Sequence, residues 1–233
     1  MGLRRTLERL LPRHSVAALR FELRAALVRL TSRGTRRRLR GRRGLVVNVG
    51  AGSQGRSGWE NLDLVVCPGI TAVWDCRTSL PFDDGAVRGL FTEHFLEHLD
   101  RDEEVPVFLG ECRRVLEPGG TLRIVVPDME RYLRAYVEAG WDEVSRVRGL
   151  GDGHVDPFTG VPYRTKMELV NYVFRQKASE PHKYGYDFST LELFLKDAGF
   201  AEVESSRFGT SRSPEICLDQ VMREPESLYV EAH

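Results

Sequence analysis

The stretch "LVVNVGAGSQGRSGWENLDL", residues 45–64, decides the fold. An apolar run, 45–49, feeds directly into Gly50-x-Gly52-x-x-Gly55, and a second strand-like run ends at Asp63. Five apolar-rich residues closed by glycine are too few for a helix and read as a strand buried on both faces, as in a parallel sheet. The glycine spacing nominally matches the dinucleotide fingerprint. That fingerprint needs a helix opening at the loop to meet the pyrophosphate, and an acidic residue about 20 positions further on. Asp63 lies only eight residues past Gly55, and "RSGWEN" leaves no room for the helix. A nucleoside without a pyrophosphate fits better: the backbone is open at Gly50 and Gly52, and a carboxylate stands at the strand tip for two ribose hydroxyls. A tight glycine turn capped by an exposed Asp is the plainer alternative.

Outward from this stretch, short apolar runs alternate with amphipathic helical stretches, the pattern of a mostly parallel sheet covered by helices on both faces. Strands are expected at 59–64, 70–74, 87–92 and 121–127, with a helix over 105–116 before the last of them. Residues 128–187 exceed a simple crossover and predict a helical insert, with helices near 129–139 and 166–176 and many aromatic side chains, suited to core packing or to a lid. "STLE" (189–192) reads as a capping box opening a helix to Gly199. Strand-like runs at 201–209 and 227–232 close the chain, with no helix between them, as an antiparallel hairpin. The expected fold class is α/β, a seven-stranded mostly parallel sheet with a basic helical arm in front.

Residues 1–43 carry fourteen arginines and two glutamates, a net of +12, while the whole chain sums to zero. The arm therefore ends at "RRRLRGRRG", and a domain 44–233 of net −12 follows. Within the arm Val16, Leu19, Leu23, Leu27 and Leu30 recur at helical spacing, interrupted by arginines. Such a helix can dock on the acidic domain, lie on an anionic membrane surface or bind nucleic acid. Deleting residues 1–40 is expected to spare ligand binding by the domain. "MGLRRT" also fits a lipidation signal, and an Arg-rich, acid-poor start fits a transit peptide. Hydrophobic residues make up 41% and charged residues 29% of the 233, and no run approaches the ~18 residues of a membrane span. Cys67, Cys76, Cys112 and Cys217 show neither disulfide-framework nor zinc spacing, which predicts a reduced, cytoplasmic setting, with peripheral membrane contact through the arm.

The blocks "VNVGAGSQGRSGWENLDL", "VWDCRTSLPFDDGAVRGLFTEHFLEHL" and "ECRRVLEPGGTLRIVVPDMERYL" resemble, in order and spacing, the class I S-adenosylmethionine-dependent methyltransferases, most closely a small bacterial group. The resemblance covers about 45–130 and extends through "HKYGYDFSTLELFLKDAGF" to Phe200. It implies a Rossmann-like sheet, with Asn48, Gly50, Ala51 and Gly52 along the methionine part of the cofactor, and Asp63 and Leu64 at the ribose. It further implies Asp75 and Cys76 at the adenine, and Thr92, Glu93 and His94 nearest the sulfonium. Ala51 stands where the family often has Cys.

"HFLEH" (94–98) also spells H-x-x-E-H, the inverted zinc-protease motif, in which two imidazoles four apart on a helix bind zinc. It lacks a third ligand in sequence and follows a strand directly, so no metal is expected. Methyl transfer from a sulfonium chiefly requires alignment and exclusion of water, and a general base matters only for hydroxyl or protonated amine acceptors. His94, Asp128 and His182 are the candidate catalytic residues, with His154 a further candidate base. The acceptor class expected is a small molecule or a glycan-like or lipid-linked group. Nucleic-acid methylation through the basic arm, or a non-catalytic binding protein, are the alternatives. No Asn- or Asp-Pro-Pro-aromatic tetrapeptide of amino-methylating base enzymes is present.

Overall fold

The computed structural model describes residues 13–175 and 181–233; the lipidation-like "MGLRRT" lies outside them. Strand β1 (Leu45–Val49) is buried along its whole length. It pairs in parallel with β2 (Glu60–Asp63) on one side and β4 (Val87–Glu93) on the other. With β3 (Ala72–Val73), β5 (Leu116–Pro127), β6 (Val203–Ser205) and β7 (Ser227–Ala232) they form a seven-stranded sheet of order β3-β2-β1-β4-β5-β7-β6. β7 runs antiparallel to both β5 and β6. No helix joins β1 to β2. The chain leaves β1 towards β2 and β3, whereas β4 and β5 lie on its other side, so a crevice opens beyond the carboxyl ends of β1 and β4, where open α/β sheets place ligands.

One face of the sheet buries Val47, Val49, Leu90, Leu122, Ile124 and Val230 against helices α3 (Val105–Val115) and α7 (Phe188–Asp197), which supply Phe108, Leu109, Leu191 and Leu195. α7 is capped by Asp187, whose carboxylate accepts the Thr190 amide; the helix starts two residues earlier than the "STLE" capping box expected from the sequence would place it, with a simple Asp N-cap in its place. Helices on both faces are expected from the sequence pattern. The opposite face, Phe91, Val125 and Tyr229, is instead packed by Trp59, Phe208 and Leu218 from irregular connections. Arg123 of β5, fully buried there, staples the 206–226 connection to the sheet. Its guanidinium bonds Asp219 (2.8 Å), Glu231 (2.9 Å) and the carbonyls of Thr210 (2.8 Å) and Arg207 (2.9 Å).

Between β5 and α7, helices α4 (Met129–Val137), α5 (Asp142–Arg148) and α6 (Lys166–Arg175) enclose their own small core of Met129, Tyr132, Val144, Val147, Leu169 and Val173. The charged centre of this region is Arg148, which bonds Asp156 (2.8 Å) and Glu226. The arm forms α1 (Arg13–Thr31) and α2 (Arg33–Leu39). Leu39 enters the main core and Ala25 is fully buried, but Leu19, Leu23, Leu27 and Leu30 face outward. Charge holds the arm in place. Arg38 grips Glu60 with two bonds (3.1 and 3.0 Å), Arg42 joins the same carboxylate, and Arg43 approaches Asp83 to 3.7 Å.

Candidate active site

A cavity of about 400 Å³ opens at the carboxyl ends of β1 to β4. Gly50 floors it, with φ of 68°; a Cβ at this position would stand 2.7 Å from the Phe95 ring, so only glycine allows the loop to lie on that ring. At the end of β2, Asp63 accepts the amides of Gly52 (2.9 Å) and Val65 (2.8 Å), which fixes its carboxylate across the glycine turn at the cavity edge. Leu64, Val65, Trp74, Phe95 and Leu99 supply apolar wall.

Asp75 and Cys76 follow β3 and line the same cavity. Burial pushes the Cys76 thiol well up, so it is a packing group rather than a thiolate. Asp75 is buried and held by Arg77, Nε to Oδ1 at 2.9 Å and Nη2 to Oδ2 at 3.0 Å. Arg77 in turn bonds Glu22 of α1 (2.6 Å) and lies over the Phe21 ring. Ala18, Phe21 and Glu22 thus close one side of the cavity, and Pro181 and Lys183 line it too. These arm residues were not among the expected site residues. Their signal in the sequence is Glu22, the one acidic residue in 13–43.

The other expected cofactor residues divide by strand alternation. Asn48 and Glu93 project from the opposite side of β1 and β4 into a recess of about 90 Å³, which Ala51 also lines. There Asn48 donates to the Gln54 carbonyl (3.2 Å), and Glu93 accepts two bonds from Gln220 (3.1 and 2.6 Å). Burial raises the Glu93 carboxyl above its ordinary value. Thr92 is buried and donates to the Val49 carbonyl (3.1 Å), bracing β4 on β1.

His94, with φ of 50°, turns the chain out of β4. Its Nδ1 lies 3.2 Å from Glu97 Oε1 and its Nε2 3.2 Å from Ser227 Oγ. The segment after it is a short 3-10 turn, Leu96–His98, so the two histidines are not stacked on an α-helix as the zinc-protease motif requires. His94 and His98 line both the large cavity and a smaller one of about 140 Å³, whose other walls include Arg148, Tyr172, His182 and Arg223. His182 arrives from before α7 and sets its ring 4.7 Å from that of His98. Glu97 is almost wholly buried among these imidazoles. Burial alone would raise its carboxyl, but His94, His98 and His182 hold it down at about 2. Burial pushes His182 below its ordinary value.

Asp128 is not part of this assembly. It caps α4 by accepting the Arg131 amide (3.0 Å) and lines a separate groove. His154 stacks on Trp141, with ring centroids 3.7 Å apart.

Residues 61–124, from β2 into β5, match the family model described as methyltransferase domain. No curated protein matches the chain in sequence. Solved structures similar to it include the Burkholderia thailandensis 1,6-didemethyltoxoflavin-N1-methyltransferase with bound 1,6-didemethyltoxoflavin and S-adenosylhomocysteine. That protein is 16% identical, with 89% of this chain and 78% of that chain covered and a TM-score of 0.47. A methyltransferase from Archaeoglobus fulgidus is also 16% identical (88% and 93% covered, TM-score 0.47), as is one from Aquifex aeolicus (89% and 97%, TM-score 0.42). The match to the methyltransferase-domain family thus runs from β2 into β5, the central part of a sheet of order β3-β2-β1-β4-β5-β7-β6.

Proposed function

We propose that the cavity at the ends of β1 to β4 holds S-adenosylmethionine and that a small-molecule acceptor enters from the side of the 140 Å³ cavity. The observation that carries this reading is Asp63, a carboxylate fixed by the Gly52 and Val65 amides at the edge of a cavity with an open glycine floor. The donor set fits a nucleoside bearing a thioether or sulfonium tail rather than a pyrophosphate: one ribose-binding carboxylate, apolar walls at Leu64, Trp74 and Phe95, and two lining cations, Arg77 and Lys183, that are already paired with Asp75, Glu22 and Glu104. Gly50, Asp63, Leu64, Asp75 and Cys76 would line the cofactor, and Gly52 fixes Asp63. Asn48 supports the loop through the Gln54 carbonyl, Thr92 braces β4 on β1, and Glu93 holds Gln220 in the recess that Ala51 also lines. When bound, the cofactor supplies a methyl group already activated on sulfur.

The protein's own contribution is then alignment and exclusion of water. His94, standing where the two cavities meet and oriented by Glu97, is the group placed to take a proton from a hydroxyl or ammonium acceptor. The small cavity favours a compact acceptor. Its two arginines face Glu226 and Asp156, so their charge is largely spent within the protein. The arm functions as an internal partner that completes the cofactor side, and α4 to α6 cover the acceptor side. Nucleic-acid methylation loses support because Arg29, Arg38, Arg42 and Arg43 are directed at carboxylates of the same chain.

The acceptor class is tested by incubating the protein with methyl-labelled S-adenosylmethionine and a cell extract. Label recovered in the low-molecular-weight fraction is the expected result; label confined to nucleic acid would overturn the small-molecule reading.

A further inference from the structure

We propose that Glu97, His98 and His182 bind a single divalent transition-metal ion of the zinc class, at the wall between the two cavities. One donor atom from each lies within 4.8 Å of the other two. Bonds of about 2.0 to 2.2 Å to zinc would draw these donors together by roughly 1 to 1.5 Å, a side-chain adjustment. Spacing alone supplies only the "HFLEH" motif and no third ligand; the fold brings His182 to it from a segment 84 residues further along the chain.

Two further observations point to a ligand here. Glu97 is 1% exposed, yet neither of its carboxylate oxygens receives a well-directed hydrogen bond, and His98 Nδ1 is likewise buried without a partner. A buried carboxylate in that condition costs several kcal/mol unless a cation or donors meet it. His182 donates its Nδ1 hydrogen to the Val173 carbonyl (2.6 Å), which fixes the tautomer and leaves Nε2 as a lone-pair donor 3.8 Å from Glu97 Oε1. An imidazole tied back to a backbone carbonyl while its other nitrogen faces a carboxylate is the arrangement by which proteins orient metal-binding histidines. His94, with Nδ1 at 3.2 Å from Glu97 Oε1, orients the carboxylate from outside the set.

Two imidazoles and one carboxylate suit zinc and its neighbours rather than magnesium or calcium, which prefer all-oxygen sites. Three protein ligands leave a position open towards the cavities that His98 lines, where an acceptor oxygen can coordinate; this use of the ion rests on the methyltransferase reading, whereas the site itself does not.

The test is equilibrium titration of the untagged full-length chain, freed of metal, with zinc and with cobalt(II), following cobalt absorption bands and metal content. The wild type is expected to bind one ion per chain. His98→Ala and His182→Ala should each weaken binding at least about a hundredfold, since even outer-shell changes cost about 10- to 100-fold. His154→Ala, stacked on Trp141 away from the cluster, should bind as the wild type does. Thermal melts of the metal-free variants identify any that fail to fold, and Glu97→Gln, which keeps the shape and removes the charge, serves as the second probe. Wild-type protein that binds either ion no more tightly than a folded His98→Ala, His182→Ala double variant would overturn the proposal. Binding of S-adenosylhomocysteine to the wild type, measured separately, shows whether the methyltransferase reading stands irrespective of the metal.

Discussion

At the scale of single residues, the site depends on positions where the backbone or a buried charge admits no substitute. Gly50 combines a left-handed φ with contact to Phe95. Gly50→Ala adds about 1 to 2 kcal/mol of backbone strain and about 1 to 3 kcal/mol of overpacking. A fall in the urea midpoint together with weaker cofactor binding is the expected outcome, and unchanged values of both would show that the loop does not rest on Phe95. Arg123 acts on the far side of the sheet. Arg123→Ala leaves Asp219 and Glu231 buried without their cation, a loss of about 3 to 5 kcal/mol; Arg123→Met, which fills the space without a charge, leaves the same two carboxylates uncompensated and should not recover it. Denaturant unfolding of both variants measures this directly.

Among elements, the arm shows most clearly how charge can override apolar spacing. Its leucine stripe, Leu19, Leu23, Leu27 and Leu30, is the obvious apolar face in sequence, yet the helix turns Val16 and Ala25 inward. Glu22 to Arg77 and Arg29 to Asp75 set that rotation, partners 55 and 46 residues away that no local pattern reveals. Because the arm supplies Ala18, Phe21 and Glu22 to the cavity, deleting residues 1–40 is now expected to weaken cofactor binding, reversing the expectation drawn from sequence; calorimetry on the truncated chain decides it, and equal affinity would show that the arm's wall is dispensable. Acid should loosen the arm. Glu60 is held below its ordinary range by Arg38, Thr71 and Arg42 against the opposing effect of burial, and Glu22 is held down by Arg77. Carboxyls lowered on folding stabilise the native state above their unfolded value, near 4.3, and that contribution is lost as pH falls through the lowered native value. Melting temperature followed from pH 7 to pH 3 should fall less in Glu60→Gln than in the wild type; parallel curves would remove Glu60 as the clasp.

The strands were legible because β1 and most of β4 and β5 are buried and therefore appear as apolar-rich runs, interrupted at Asn48, Arg88 and Arg123 and ended by glycine, His94 and Asp128. Gly50, Asp63, Leu64, Asp75, Cys76 and His94 were legible as one cavity because all follow strand ends. Asn48 and Glu93 line a separate recess with Gly50 and Ala51, a separation that two-residue alternation from Val47 and Val49 already gives for Asn48. His182 and Glu22 reach the site only through tertiary packing, and Asp128 is used up by capping α4.

Over the whole molecule, a strand order that reverses at β1 opens the crevice, the arm walls one side of the larger cavity, and the segment of α4 to α6 with its separate small core lines the smaller one, the proposed cofactor and acceptor sides respectively. This division of labour predicts that the cofactor binds without an acceptor present. Calorimetric titration of S-adenosylhomocysteine into the full-length chain tests it most directly, with Asp63→Ala as the paired variant. The account predicts one site per chain in the wild type and a loss of about 1.5 to 3 kcal/mol in the variant, roughly a ten- to more than hundredfold weaker affinity. No binding by the folded wild type, or equal affinity in the two proteins, would contradict it.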